Sequence, residues 1–214
     1  MDVLTILYQD RDIVVCVKPA GVLSQDAGER SMPDLLRRQL DVETVSVVHR
    51  LDKEVGGVMV FALSQKAAAG LAKAVQERKL KKIYQAVLQG VPQEQSAVLQ
   101  DLLYHDQKRN KTYVVDRQRK GVKEASLDYE VLRSGQHHTL VKVRLHTGRT
   151  HQIRVQFASR KLPLVGDGKY GGKAPGVPLC LWSWQLSFDH PVTKKTMTFT
   201  QEPAWLEVCE EWFT

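Results

Sequence analysis

Short runs of apolar, β-branched residues separated by polar turns dominate the first sixty positions. Residues 3–8 and 12–18 form one such pair around Asp10-Arg11-Asp12, and the spacing predicts a hairpin. Lys18-Pro19-Ala20-Gly21 ends it, because Pro cannot donate to a ladder and Gly permits the turn. Ser31-Met32-Pro33-Asp34 is a helix start, a capping Ser with an acid three positions on, and Leu35, Leu36 and Leu40 supply the apolar face. Ser64 is placed to cap an Ala-rich helix over 65–78, with Ala68, Leu71, Ala72 and Val75 recurring at helical spacing toward the core.

Strand patterns then return. Residues 83–88 form a run closed by Gly90 and Pro92, and 127–132 with 140–145 flank the turn Ser134-Gly135-Gln136. Between them, 105–123 is the most charged and least periodic segment, either a mobile loop or an extruded hairpin. Gly148 breaks a strand, Thr150 is placed to cap a short helix, and a glycine-rich loop occupies 166–172. Strands over 181–188 and 196–200, joined by His190-Pro191, precede a last helix from Pro203 to Trp212. Many strands and a few helices, not in strict alternation, indicate an α+β domain around a mixed sheet.

Two stretches break this pattern. In Val47-Val48-His49-Arg50-Leu51-Asp52-Lys53-Glu54-Val55-Gly56-Gly57, a polar knot and a glycine pair interrupt what otherwise reads as strand, sharp turn, strand. It is either a β-turn with an exposed ion pair or a functional site, the kind of place where local rules are broken. The second is His146 to Ala158, where Arg154 falls on the inward side of the helix beside Ile153 and Phe157. An inward Arg requires a carboxylate, and Asp52 is available.

Composition narrows the class. The chain has 214 residues, 43% of them hydrophobic, which suits one globular domain. No apolar run reaches membrane-spanning length, and Met1-Asp2-Val3-Leu4 carries no basic region or cleavage pattern, so a cytoplasmic protein without membrane partners is expected. Cys16, Cys180 and Cys209 are odd in number and widely spaced, reading as buried thiols, and no histidine spacing suggests a metal. Lys and Arg number 31 against 24 Asp and Glu, a formal +7. The excess is clustered at 78–82, 108–111 and 117–123, the footprint of a polyanion binder.

The blocks together resemble the RluA-type pseudouridine synthases. The resemblance rests on His49-Arg50-Leu51-Asp52 with Gly57 and Ala62, Lys18-Pro19-Ala20-Gly21 and Lys82-Ile83-Tyr84. It continues through Gly121-Lys123-Glu124-Ala125, Gly148-Arg149-Thr150-His151-Gln152-Ile153-Arg154-Val155, Gly166-Asp167-Lys169-Tyr170-Gly171 and Phe188-His190-Pro191, in family order from about residue 5 to 200. It implies a mixed, mainly antiparallel sheet flanked by helices and loops, and isomerisation of uridine to pseudouridine within RNA without cofactor or metal. Asp52 would be the catalytic carboxylate, acting on the uracil ring, the ribose or the 2′ proton. Arg154 matches the arginine paired with that acid, and Tyr84 the tyrosine lying against the base. A stacked target base must be extruded first, and Arg50 matches the arginine that fills the vacated stack.

Further RNA contacts are expected at Lys82, Lys108, Arg109 and Lys111. Arg149, near a helix start, is placed to touch either phosphate or a neighbouring carboxylate. His49 and His151 read as hydrogen-bonding scaffold. The chain departs from the family pattern at three places: Val55-Gly56 stands where Thr-Ser is usual, Gln156 where His is usual, and Trp182-Ser183 where His-Ala is common. With the first strand starting almost at Met1, one catalytic domain over 1–214 is expected, without an appended amino-terminal RNA-binding domain. The partner would be a tRNA or rRNA stem-loop and the chain a monomer. Two alternatives stay open: an RNA-binding protein on the same scaffold with weak or lost catalysis, motivated by Val55-Gly56, and a metabolic hydrolase using an Asp–Arg pair.

Overall fold

The amino-terminal hairpin forms around Asp10, whose carboxylate accepts the N–H groups of Asp12 and Ile13 at 2.8 Å each and so closes the turn. The computed structural model describes residues 3–26 and 30–213; Met1 and Asp2, at the start of the amino-terminal stretch read above, lie outside them. In chain order the elements are β1 (Ile6–Gln9), β2 (Ile13–Lys18), α1 (Met32–Leu40), β3 (Ser46–Val47), β4 (Gly56–Ala62), α2 (Gln65–Gln76) and β5 (Lys81–Gln89). There follow β6 (Ser96–Asp106), β7 (Lys111–Val115), β8 (Val122–Ser134), β9 (His138–Leu145), α3 (Gln152–Ala158), β10 (Leu181–Asp189), β11 (Thr196–Thr200) and α4 (Trp205–Cys209). The class is α+β, with mixed, mainly antiparallel strand pairing. Two compact units divide the chain, Met1–Lys82 with Trp182–Pro203 and Ile83–Leu181 with Ala204–Thr214.

In the first unit β2 pairs antiparallel with β1 and with β4, whose seven residues are all buried. β3 pairs with the far end of β4, and β10 joins its near end in parallel, Trp182 opposite Gly56 and Ser183 opposite Gly57. β11 completes a hairpin with β10. The glycine pair read as part of a turn is therefore strand. A Cβ on Gly56 would collide with the Trp182 ring and one on Gly57, at φ +120°, with the Ser183 main chain. Only glycine admits that parallel approach. Ser31 and Ser64 cap α1 and α2 as read, accepting the N–H groups of Asp34 and Ala67.

The second unit carries an antiparallel sheet in the order β5-β9-β8-β6-β7. Up to Val115 the charged segment 105–123 takes the extruded-hairpin alternative, since β6 and β7 pair from Leu102↔Val115 to Asp106↔Lys111, and Val122 and Lys123 open β8. Every residue of α3 from Gln152 to Phe157 is buried. Its cap is not Thr150, whose carbonyl instead accepts the Thr112 hydroxyl at 2.8 Å. His151 enters the helix in the left-handed region at φ 53°, and the Gln152 side chain folds back to accept the Arg149 N–H at 3.0 Å. The last helix is shorter than its sequence suggested: α4 starts at Trp205, and Glu210–Phe213 is a 3₁₀ turn.

The first unit's core gathers Ile13, Val15, Val58, Val60 and Ala62 from the strands under Ala67 and Leu71 of α2, with Ala68 and Val75 at its edge. Ala72, predicted to face inward, is exposed. It follows Leu71 by a 100° rotation, and the stripe that fits the sheet runs through 67, 71 and 75 instead. Leu71→Ala is thus expected to cost about 2–5 kcal/mol. Ala72→Glu should stay within about 0.5 kcal/mol. Urea midpoints of the two variants compare them directly, and equal losses would return Ala72 to the core face.

Candidate active site

In the first unit the segment between β3 and β4 carries the polar knot. Leu51 and Val55 are buried, Asp52 between them is half-buried, and Arg50, Lys53 and Glu54 are exposed. Val55 N–H closes a turn onto the Asp52 carbonyl at 3.1 Å. The main chain on either side is tied to the segment that follows β2. Leu51 exchanges two hydrogen bonds with the Ser24 hydroxyl, and the Lys53 carbonyl accepts from Gly21 N–H at 2.8 Å and from Lys18 Nζ at 3.0 Å. The exposed Arg50 guanidinium donates to Gln25 Oε1 at 2.8 Å.

Lys18 is fully buried. Its ammonium also donates to the Pro19 carbonyl at 2.9 Å. Burial pushes its pKa down to about 8, against the opposing pull of the Glu54 and Asp52 carboxylates. His49 Nε2 accepts the Val60 N–H at 3.2 Å, which places the ring proton on Nδ1. Burial, helped by the Lys82 charge, holds that imidazole well below its ordinary pKa, so it is a neutral scaffold residue. Lys82, half-buried at the start of β5, is lowered to about 8 by the same desolvation.

In the second unit Tyr84 is a buried β5 residue opposite Val143 of β9. Arg154, 4% exposed on α3, makes a two-pronged pair with the buried Asp167, Nε to Oδ2 at 2.7 Å and Nη2 to Oδ1 at 2.8 Å. Asp167 Oδ1 also accepts the main-chain N–H groups of Lys169 and Tyr170. This acid lies in the glycine-rich loop, and the sequence reading gave it no role; a carboxylate among glycines, close in sequence to an inward Arg, was the available signal. Breaking such a buried pair by removing one partner costs about 3–5 kcal/mol.

Tyr170 extends the network. Its ring lies 5.3 Å from both the Arg154 guanidinium and the Lys111 ammonium. Its hydroxyl accepts the Thr112 N–H at 2.8 Å and meets His151 Nδ1 at 2.9 Å. Lys111 on β7 is thereby linked to Arg154 through one ring. Lys108 and Arg109 stand exposed at the β6–β7 turn, Arg109 loosely paired with Asp106 at 3.9 Å. Arg149 Nε donates to the Glu124 carbonyl, a main-chain oxygen, at 3.0 Å. Among the described residues, no group of three or more His, Cys, Asp and Glu side chains is arranged to hold a metal ion. No helix among them is long and apolar enough to cross a membrane.

The departures from the family pattern also find places. Gln156 is buried and donates to Asp101 Oδ2 at 2.7 Å, beside the Arg160–Asp101 ion pair. Gly56 and Trp182 face each other across the parallel strand pair, and Trp182 is held by its indole N–H on the Gln201 carbonyl at 2.7 Å. The small residue at 56 and the large one at 182 are one feature.

This fold and these residues define a class. The family profile described as RNA pseudouridylate synthase matches residues 12–159, and the chain belongs to that family. An uncharacterized RNA pseudouridine synthase of Aquifex aeolicus is 36% identical over 98% of this chain and 72% of its own length. The ribosomal large subunit pseudouridine synthase D of Pseudomonas aeruginosa is 37% identical over 79% of this chain, and that of Neisseria meningitidis 33% identical over 92%. The chain spans 54% and 57% of those two relatives. Among solved structures, human RNA pseudouridylate synthase domain containing 4 aligns at TM-score 0.78 and 25% identity, covering 95% of this chain and 90% of that one. Human RNA pseudouridylate synthase domain containing 1 aligns at 0.83 with 24% identity, over 99% and 88%, and shares the fold.

Two outcomes follow from this geometry. Gly56→Ser is expected to destabilise by about 1–3 kcal/mol through overpacking, and Trp182→His in the same chain to recover most of that loss; additive losses in a double-mutant cycle would separate the two positions. Lys18 is protonated in folded and unfolded chains alike below pH 8. Between about 8 and 10.5 the folded chain releases a proton that the unfolded chain keeps, so stability rises with pH there. The burial of Cys16, whose thiol is pushed up to about 12, acts in the opposite direction over an overlapping range. The difference between wild type and Lys18→Met removes the Cys16 contribution, and it should shift in favour of wild type by up to about 3 kcal/mol across that window.

Proposed function

We propose that the chain isomerises uridine to pseudouridine within RNA, with Asp52 as the catalytic carboxylate, Tyr84 against the base and Arg154 as the supporting cation. The observation that carries the reading is the family match over 12–159, which includes the His49-Arg50-Leu51-Asp52 turn. The reaction balances without a co-reactant: the C1′–N1 bond breaks, a C1′–C5 bond forms, C5 loses its proton and N1 gains one. What it asks of a protein is a fixed carboxylate, an extruded base and positive potential for the RNA backbone. The tethered main chain around Asp52 supports the first. An Arg50 side chain exposed to solvent, with its tip donating to Gln25, suits the second, since it is able to enter a vacated stack.

The substrate is a stem-loop of structured RNA. The relatives named for the large ribosomal subunit weigh toward rRNA over tRNA. Lys82, Arg149, Lys108, Arg109 and Lys111 contribute contacts to phosphate, and the chain works as a cytoplasmic monomer whose 1–214 span is one catalytic domain.

Asp52→Asn is expected to reduce release of tritium from RNA carrying 5-tritiated uridine by at least about a thousandfold. RNA affinity should stay within about twofold. Replacing Lys108, Arg109 and Lys111 by Ala should lessen the slope of log affinity against log salt by about 2. Unchanged turnover in Asp52→Asn would remove the carboxylate from the reaction.

A further inference from the structure

Leu51, the residue immediately before Asp52, gives both of its main-chain hydrogen-bonding groups to one side chain. Its N–H donates to Ser24 Oγ at 3.0 Å, and its carbonyl accepts the Ser24 hydroxyl proton at 2.8 Å. Ser24 is 3% exposed and Leu51 is buried, so water does not substitute for either bond. One residue past Asp52, the Lys53 carbonyl is fixed by Gly21 and Lys18. A hydroxyl that closes both sides of Leu51 sets the peptide plane entering Asp52. With the carbonyl of Lys53 also fixed, the Asp52 Cα–Cβ bond is confined to one direction.

We propose that Ser24 is a positioning residue for the reaction, its hydroxyl clasping Leu51 so that the Asp52 carboxylate is presented in a single orientation. The proposal rests on the reading of Asp52 as the catalytic group. Val55 and Gly56 bring no hydroxyls to the carboxyl-terminal side of the turn, and Ser24 supplies one from the amino-terminal side. Its loss leaves two buried main-chain groups unpaired while Gly21 and Lys18 still hold Lys53, a combination that loosens the turn without releasing it. A misplacement of about 1 Å at a reacting group lowers turnover about a hundredfold.

The test compares Ser24→Ala with Ser24→Thr, which keeps the hydroxyl. Backbone amide exchange over residues 49–55, thermal midpoint, RNA affinity and kcat by tritium release are measured on each full chain. Ser24→Ala should speed exchange at Leu51 by about tenfold or more. It should lower kcat by about 10–100-fold, with RNA affinity within about twofold of wild type. Ser24→Thr should restore both. A lowered midpoint with unchanged kcat would make Ser24 a contact of the fold alone, and unchanged exchange at Leu51 would overturn the clasp itself. If Ser24→Ala does not fold, Ser24→Cys, near in size and a weak donor, takes its place: faster Leu51 exchange with a lowered kcat supports the clasp, and faster Leu51 exchange with wild-type kcat overturns the proposal. A wild-type chain that releases no tritium rejects the isomerase reading instead, and the exchange at Leu51 then decides the clasp on its own.

Discussion

A turn that carries an acid between the buried Leu51 and Val55 has to be held from outside itself. Here the holding is done through main-chain atoms: Ser24 at Leu51, and Gly21 with Lys18 at Lys53. The arrangement requires an ammonium in the interior, and burial lowers the pKa of Lys18 to about 8. Two carbonyls, Pro19 and Lys53, accept its protons and offset the lost hydration. The abrupt end of β2 at Lys18-Pro19 thereby has a second meaning. The residues that stop the strand begin the segment that grips the turn.

How much of this was legible in the sequence depends on how far each residue's partner lies. The first hairpin and the Ser31 and Ser64 caps were readable because their determinants sit within a few positions of one another. The failures share a cause. Gly56-Gly57 lies in a strand because of Trp182-Ser183, more than a hundred residues later, and no local rule contains that information. Thr150 has a capping side chain, yet α3 begins one residue too late for it, entered through His151 in the left-handed region, whose conformation no local pattern announces. Asp167 stood in plain view in a glycine-rich loop, but its pairing with Arg154 needs the loop folded back over the helix. The roles proposed for Asp52, Tyr84 and Arg50 came from family resemblance, since periodicity marks a residue as misplaced without saying what it does.

The departures from the family pattern look at first like losses at the site. The structure joins two of them. With Trp182 opposite, position 56 has no room for a Cβ, and the ring is fixed by its hydrogen bond to Gln201. A glycine there answers the tryptophan rather than recording relaxed constraint on the turn. The third, Gln156, sits in a polar cluster with Asp101 and Arg160, where it donates to the carboxylate. These replacements are absorbed by packing.

The cations of the chain fall into two populations, and the division bears on enzyme against simple binder. Lys108, Arg109 and most of the 117–123 cluster are exposed, available to phosphate at little desolvation cost. Lys18 and Arg154 are enclosed and cannot reach a phosphate from where they lie. Enclosing a charge is unfavourable unless it is fully partnered, and apolar residues of similar volume often give equal stability. A protein that only adhered to RNA would need the first population and gain nothing from the second. Lys18 is coupled through space to Asp52 and Glu54, and Arg154 is locked in a two-pronged pair that fixes its plane.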